Sequence, residues 1–141
     1  MKRVRMLVVL GAIAIALPLG LSAAHATGGG SDAKNTISID QYADYDFEGS
    51  QVDVKLYVKC SGTSVVDVTL KQTQPETGSP VVIGIGSNPL VVCDGQTHSV
   101  GVTVTGVGYD TGWATATAKL LGEPGDLQKA SATRQVYITQ V

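Results

Sequence analysis

Histidine occurs twice in this 141-residue sequence, cysteine twice and tryptophan once, and each scarcity removes a class of function. His25 falls in an N-terminal segment that reads as a cleaved leader, which leaves His98 as the one imidazole of the mature chain. A Ser-His-Asp relay built on His98 would need Asp94 or Asp110 to orient the ring and a serine at hydrogen-bond distance. Strand alternation points the adjacent Ser99 to the opposite face. His98 therefore reads as a strand histidine near a turn, packing its ring or bonding the loop, and no catalytic residue is assigned. Two cysteines without C-x-x-C spacing or nearby histidines do not form a metal centre. No G-x-S-x-G elbow, H-E-x-x-H helix or phosphate loop is present, and no cofactor is called for. The glycine pairs Gly84/Gly86 and Gly106/Gly108 have no helix after them.

Long apolar runs are equally scarce. The one example, Met6 to Leu17, follows Lys2, Arg3 and Arg5 and is ended by Pro18. A run of about a dozen residues is too short to span a bilayer. The small residues Ala24 and Ala26 then match the A-x-A pattern that signal peptidase accepts. Residues 1–26 are thus expected to be a signal peptide cleaved after Ala26, with an uncleaved anchor as the alternative. The cleavage point has no cysteine beside it to take lipid, so the expectation is a secreted, extracellular chain with no stable membrane anchor after cleavage. Cleavage removes three of ten basic residues and none of the twelve acidic ones, leaving a net charge of −5. Such a surface repels phosphate backbones and anionic membranes, which argues against nucleic acid as a partner.

What remains is rich in Val, Thr, Gly and Ser, a composition suited to pleated, half-buried strands joined by tight turns. Residues 27–35 lack apolar periodicity and read as a flexible leader, and residues 36–141 as one β domain. The clearest alternation places Val52, Val54, Leu56, Val58 and Cys60 on one face against Gln51, Asp53, Lys55, Tyr57 and Lys59 on the other. Val66, Val68 and Leu70 repeat the pattern, as do Val100, Val102 and Val104 with His98, then Ala114, Ala116, Ala118 and Leu120, then Val136 and Ile138. A shorter strand is expected over Val81 to Ile85. Turns are expected at 75–80, at Gly86-Ser-Asn-Pro89 and at 122–125. Asp94-Gly95 reads as the tight turn of a hairpin between Leu90–Cys93 and the strand that follows.

Seven or eight short strands without a helical crossover predict an all-β, immunoglobulin-like antiparallel β-sandwich, with a small closed barrel as the alternative. Cys60 and Cys93 lie at strand ends in an exported chain with no third cysteine, so one disulfide between them is expected. Closing a loop of about 33 residues stabilises a domain by roughly 3–4 kcal/mol in the chain-entropy treatment. Trp113 follows both cysteines instead of lying between them, so the antibody-type cysteine and tryptophan spacing is not present.

Two features point to surface chemistry. Asp44, Asp46 and Glu48, at alternate positions before Gly49, imitate the first half of a calcium loop, yet the position that should hold its bidentate glutamate is Lys55. The competing reading is a solvated turn, and no metal is assigned. Tyr57, Trp113 and Tyr137 fall on outward faces and form the candidate interaction surface. Trp113 has an equal alternative reading as a plug over the end of the fold.

Tyr57-Val-Lys-Cys-Ser-Gly62, Cys93-Asp-Gly-Gln-Thr-His98 and Gly112-Trp-Ala-Thr-Ala-Thr-Ala118 together resemble a group of small exported domains of high-GC Gram-positive bacteria. That resemblance covers most of the mature chain and implies an immunoglobulin-like sandwich with one disulfide and no catalytic residues. A weaker likeness is to the neocarzinostatin-type apoproteins, also exported, acidic sandwiches, which carry two disulfides where this chain has cysteines for one. The expected function is a secreted, noncatalytic interaction module for an extracellular protein or a wall polymer. A small-ligand carrier or secreted inhibitor is the alternative, and a hydrolase comes last.

Overall fold

A computed structural model describes residues 34–48, 50–73, 81–122 and 127–141. The expected signal peptide, most of the leader, and the turns at 75–80 and 123–125 lie outside the described residues. Within them the chain forms seven strands and no helix: β1 (Thr36–Asp46), β2 (Gln51–Ser61), β3 (Ser64–Gln72), β4 (Val82–Asn88), β5 (Asp94–Thr105), β6 (Gly112–Gly122) and β7 (Gln128–Gln140). The inward positions read from alternation are buried: Val52, Val54, Leu56, Val58 and Cys60 from β2, Val66, Val68 and Leu70 from β3, and the alanines of β6. Together with Val100, Val102 and Val104 of β5 and Val136 and Ile138 of β7 they form one hydrophobic core cluster.

Two packed sheets were expected, and the strands instead close into one barrel in the order β1-β2-β5-β4-β3-β6-β7. Closure is made at two seams that hydrophobic alternation does not encode. At the first, β1 bulges between Ile39 and Ala43 yet keeps β2 on one edge, while on its other edge Tyr42 to Tyr45 pair in parallel with Tyr137 to Gln140 of β7. The sheet is therefore not wholly antiparallel. At the second, β4 pairs with β3 over seven residues and with β5 through Ile85 and Thr105 alone. Both seams cover strand edges that open sheets would leave exposed.

Glycine makes the second seam possible. On β4 the inward positions are Gly84 and Gly86, while Ile83 and Ile85 point to solvent. A Cβ at Gly84 would lie 2.6 Å from the Thr105 carbonyl oxygen, and one at Gly86 2.9 Å from the Thr103 carbonyl carbon. Only bare backbone can approach β5 so closely. The expected break at Gly86–Pro89 is displaced accordingly: β4 runs on to Asn88, whose Nδ2 donates to the Gly101 carbonyl at 2.8 Å and ties the strand to β5.

The expected hairpin at Asp94-Gly95 is not formed. Residues 89–93 are not a strand, and β5 pairs with β2 from Asp94 onward. Lys59 faces Thr97 and Ser61 faces Asp94, so Gly95 and Gln96 together oppose Cys60. This is a β-bulge, with Gly95 at φ 82° and the Asp94 carboxylate accepting from the Gln96 N–H at 2.9 Å. The same Asp-Gly chemistry that suits a turn serves a bulge because both require a left-handed glycine. Beside it, Cys60 and Cys93 form the expected disulfide, with a Cα–Cα distance of 4.6 Å. It anchors the segment before β5 to the end of β2.

Tyr109 plugs the barrel where β4 meets β5. It is 5% exposed, lies against Gly84 and Gly106, and donates its hydroxyl to the Leu70 carbonyl at 2.9 Å. Gln72 fastens the same loop, donating from Nε2 to the Asp110 carbonyl at 2.8 Å and accepting the Asp110 N–H at 2.9 Å. Burial pushes the Tyr109 phenol up to about 12, opposed in part by a backbone hydrogen bond from Gly84. A phenol with a folded pKa above its unfolded one contributes stability that is complete below about pH 10 and lost as pH rises towards 12. Tyr109→Phe is expected to cost roughly 1 kcal/mol at pH 7, since a buried acceptor loses its donor. Urea unfolding from pH 8 to 12 checks this: the gap between wild type and variant narrows or reverses above pH 10. A constant gap across that range would mean that the phenol does not titrate differently in the folded state.

Candidate functional site

The parallel seam determines which outward side chains meet. It sets β2, β1, β7 and β6 side by side, so their outer residues form one continuous face. Tyr42 is registered with Tyr137 across β1 and β7, and Tyr137 with Trp113 across β7 and β6. Three aromatic rings thus stand abreast on three neighbouring strands. Trp113 is 57% exposed and Tyr42 55%, while Tyr137 between them is half-buried. The Trp113 and Tyr137 rings meet edge to face, with centroids 5.3 Å apart and planes at 82°. This geometry suits the opposite charge of ring edge and ring face.

Tyr57 shares the outer face from β2 but has its own partners. Its hydroxyl donates to Asp40 Oδ2 at 3.3 Å, and Lys55 Nζ stands 5.5 Å from its ring centroid. The three sequence-derived candidates are thus all outward, and Trp113 and Tyr137 are in contact. The plug reading of Trp113 is overturned: Tyr109 fills that role from the preceding loop. Tyr42 was not singled out from sequence, although the inward alternation Ile37, Ile39, Ala43, Tyr45 already turns it to solvent. What alternation lacks is the identity of the neighbouring strand.

Two register steps from the rings, at the next outward position, the face becomes acidic. Asp44 on β1 stands opposite Asp53 on β2 and opposite Thr139 on β7. Like charges directly opposed on a ladder repel, and two hydroxyls offset this here. Thr139 Oγ1 donates to Asp44 Oδ1 at 3.2 Å, and Thr103 Oγ1 to Asp53 Oδ1 at 2.6 Å. Asp44, Asp53, Lys55, Ser99 and Thr103 rim a depression of about 420 Å³, open to solvent, whose floor at Gly101 carries no side chain. A Cβ placed on Gly101 would meet nothing within 4 Å.

The remaining candidates are dispersed. Asp46 accepts the Glu48 N–H at 3.0 Å, as in a solvated turn, and Lys55 sits within β2. Among the described residues no three His, Cys, Asp or Glu side chains are gathered to hold a metal ion. His98 Nε2 lies 2.7 Å from Asp94 Oδ1 on the exposed rim beside the disulfide. The Gln96 N–H first, and His98 second, hold the Asp94 carboxyl below its ordinary range. Ser99 projects outward into the rim of the depression, away from His98. Compared with models of protein families and with curated proteins, the chain finds no match.

Proposed function

We propose that the chain is a secreted, noncatalytic interaction module of immunoglobulin-like descent that binds an extracellular partner through the outer face of β2, β1, β7 and β6. The observation that carries this reading is the aromatic row Tyr42–Tyr137–Trp113, with two of its three rings more than half exposed. Large rings left in water at adjacent register positions are more characteristic of recognition surfaces than of solvated sheet faces. The order β1-β2-β5-β4 followed by β3-β6-β7 also supports the descent, because it corresponds to the ABED and CFG sheets of an immunoglobulin constant domain joined through their D and C strands. The disulfide supports an oxidising destination, and with the leader pattern it supports export.

A ligand carrier would need a concave apolar pocket. The depression at Gly101 is open and walled by carboxylates, hydroxyls and a lysine, which favours a surface contact. The test is capture from the native culture medium by the wild type and by a Tyr42→Ala/Trp113→Ala variant, with the recovered protein and glycan identified by mass spectrometry. Both substituted side chains face solvent, so the variant is expected to keep the wild-type melting temperature to within a few degrees, about the effect of a small surface change. A partner retained by the wild type and lost by the variant is the expected result. Identical capture by both would mean that the aromatic face is not the binding surface.

A further inference from the structure

The charge around the aromatic row identifies the chemistry of its partner. We infer that the face receives a basic polypeptide segment, with lysine or arginine side chains seated on the rings of Tyr42, Tyr137 and Trp113; this rests on the interaction-module reading above. Carboxylates flank the row, with Asp44 two residues along β1 from Tyr42, Asp53 opposite it and Asp40 beside Tyr57. Two cations of these strands are already engaged: on the outer face Lys55 stands over the Tyr57 ring, and Arg134, at an inward position of β7, donates from Nη1 to the Ile39 carbonyl at 2.8 Å. The expected mature chain carries a net charge of −5, so the wider field has the same sign. A negative rim steers a cationic segment inward.

Ring geometry agrees with a compact cation. The Trp113 and Tyr137 planes stand at 82°, forming a corner instead of a coplanar platform. An ammonium or guanidinium group lodged there meets a negative ring face, with the Asp44 carboxylate on β1 opposite Thr139, two residues along β7 from Tyr137. A flat neutral sugar surface would favour rings lying side by side in one plane.

Trp113 is the one tryptophan of the chain, so its fluorescence reports occupancy of this face directly. Titration of the wild type with hexalysine and with hexa-arginine should change that emission to saturation. Affinity should fall by roughly tenfold between low and half-molar salt as screening sets in. Asp44→Asn with Asp53→Asn should weaken binding by about fivefold, in keeping with two partly exposed charge contacts. Tyr42→Ala should weaken it by about threefold, the range of one exposed cation–π contact. Cellohexaose serves as the neutral probe. A response to cellohexaose that is insensitive to salt and absent with the two peptides would overturn the basic partner while leaving the aromatic face as a binding surface. Peptide binding unchanged by Tyr42→Ala would remove the rings from the contact. If no probe moves the emission, the basic-segment inference fails, and capture from the culture medium then decides separately whether the face binds anything else.

Discussion

Replacing Cys60 and Cys93 by alanine is expected to lower the unfolding free energy by about 4 kcal/mol, the chain-entropy value for a closed loop of this length. The bond spans 33 positions of sequence and anchors residues that have no strand of their own, since the segment 89–93 between β4 and β5 makes no ladder. Without it, the bulge at Gly95 and Gln96 loses its fixed start, and β5 has to find its register on β2 from hydrophobic matching alone. For a domain of this size the loss corresponds to a fall in melting temperature of roughly 15 °C or more. Reductant added to the wild type should reproduce the shift. Equal melting temperatures for wild type and the double-alanine variant would show that the β2–β5 register stands without the bond.

The second large effect is expected from single methyl groups at the β4–β5 seam. Gly84→Ala places a Cβ against the Tyr109 hydroxyl, 2.6 Å from the Thr105 carbonyl oxygen and 2.7 Å from a Val104 methyl. Gly86→Ala puts one against the Thr103 carbonyl. Backbone groups cannot rotate away as a flexible side chain can, so β4 must lift from β5. Each substitution should cost about 3 kcal/mol or more, beyond ordinary overpacking because the seam has a single ladder position to hold it. Gly101→Ala is the control: its Cβ enters open space, and alanine suits a strand interior better than glycine, so stability should stay within about 0.5 kcal/mol of wild type or rise. Chemical denaturation of the three variants checks the contrast. Equal stabilities at Gly86→Ala and Gly101→Ala would mean that β4 does not press on β5.

Much of this molecule follows from side-chain order alone, and particular residues show why. Val52 to Cys60 alternate without interruption, so their burial needed no knowledge of the partner strand. The same holds for the outward placement of Tyr57, Trp113 and Tyr137. On β4 the rule reverses, with isoleucines outside and glycines inside, because the deciding constraint is the approach of another backbone and not the burial of apolar area. Asp94-Gly95 carries a correct local message, a left-handed glycine after an aspartate, which a turn and a bulge satisfy equally. Tyr109 lies in a glycine-rich loop outside any alternation, and nothing local marks it as the residue that closes the barrel end.

An all-β chain, the faces of most of its strands and the pairing of its two cysteines are legible in the residues alone, because period-2 alternation and cysteine count are local properties. Closure into a barrel, the parallel pairing of β1 with β7, and the meeting of Tyr42, Tyr137 and Trp113 arise from long-range strand pairing. Those features depend on which strand edges come together across long sequence separations. An unpaired edge presents the same N–H and C=O groups whatever its side chains, so its neighbour is selected by the packing of the whole barrel.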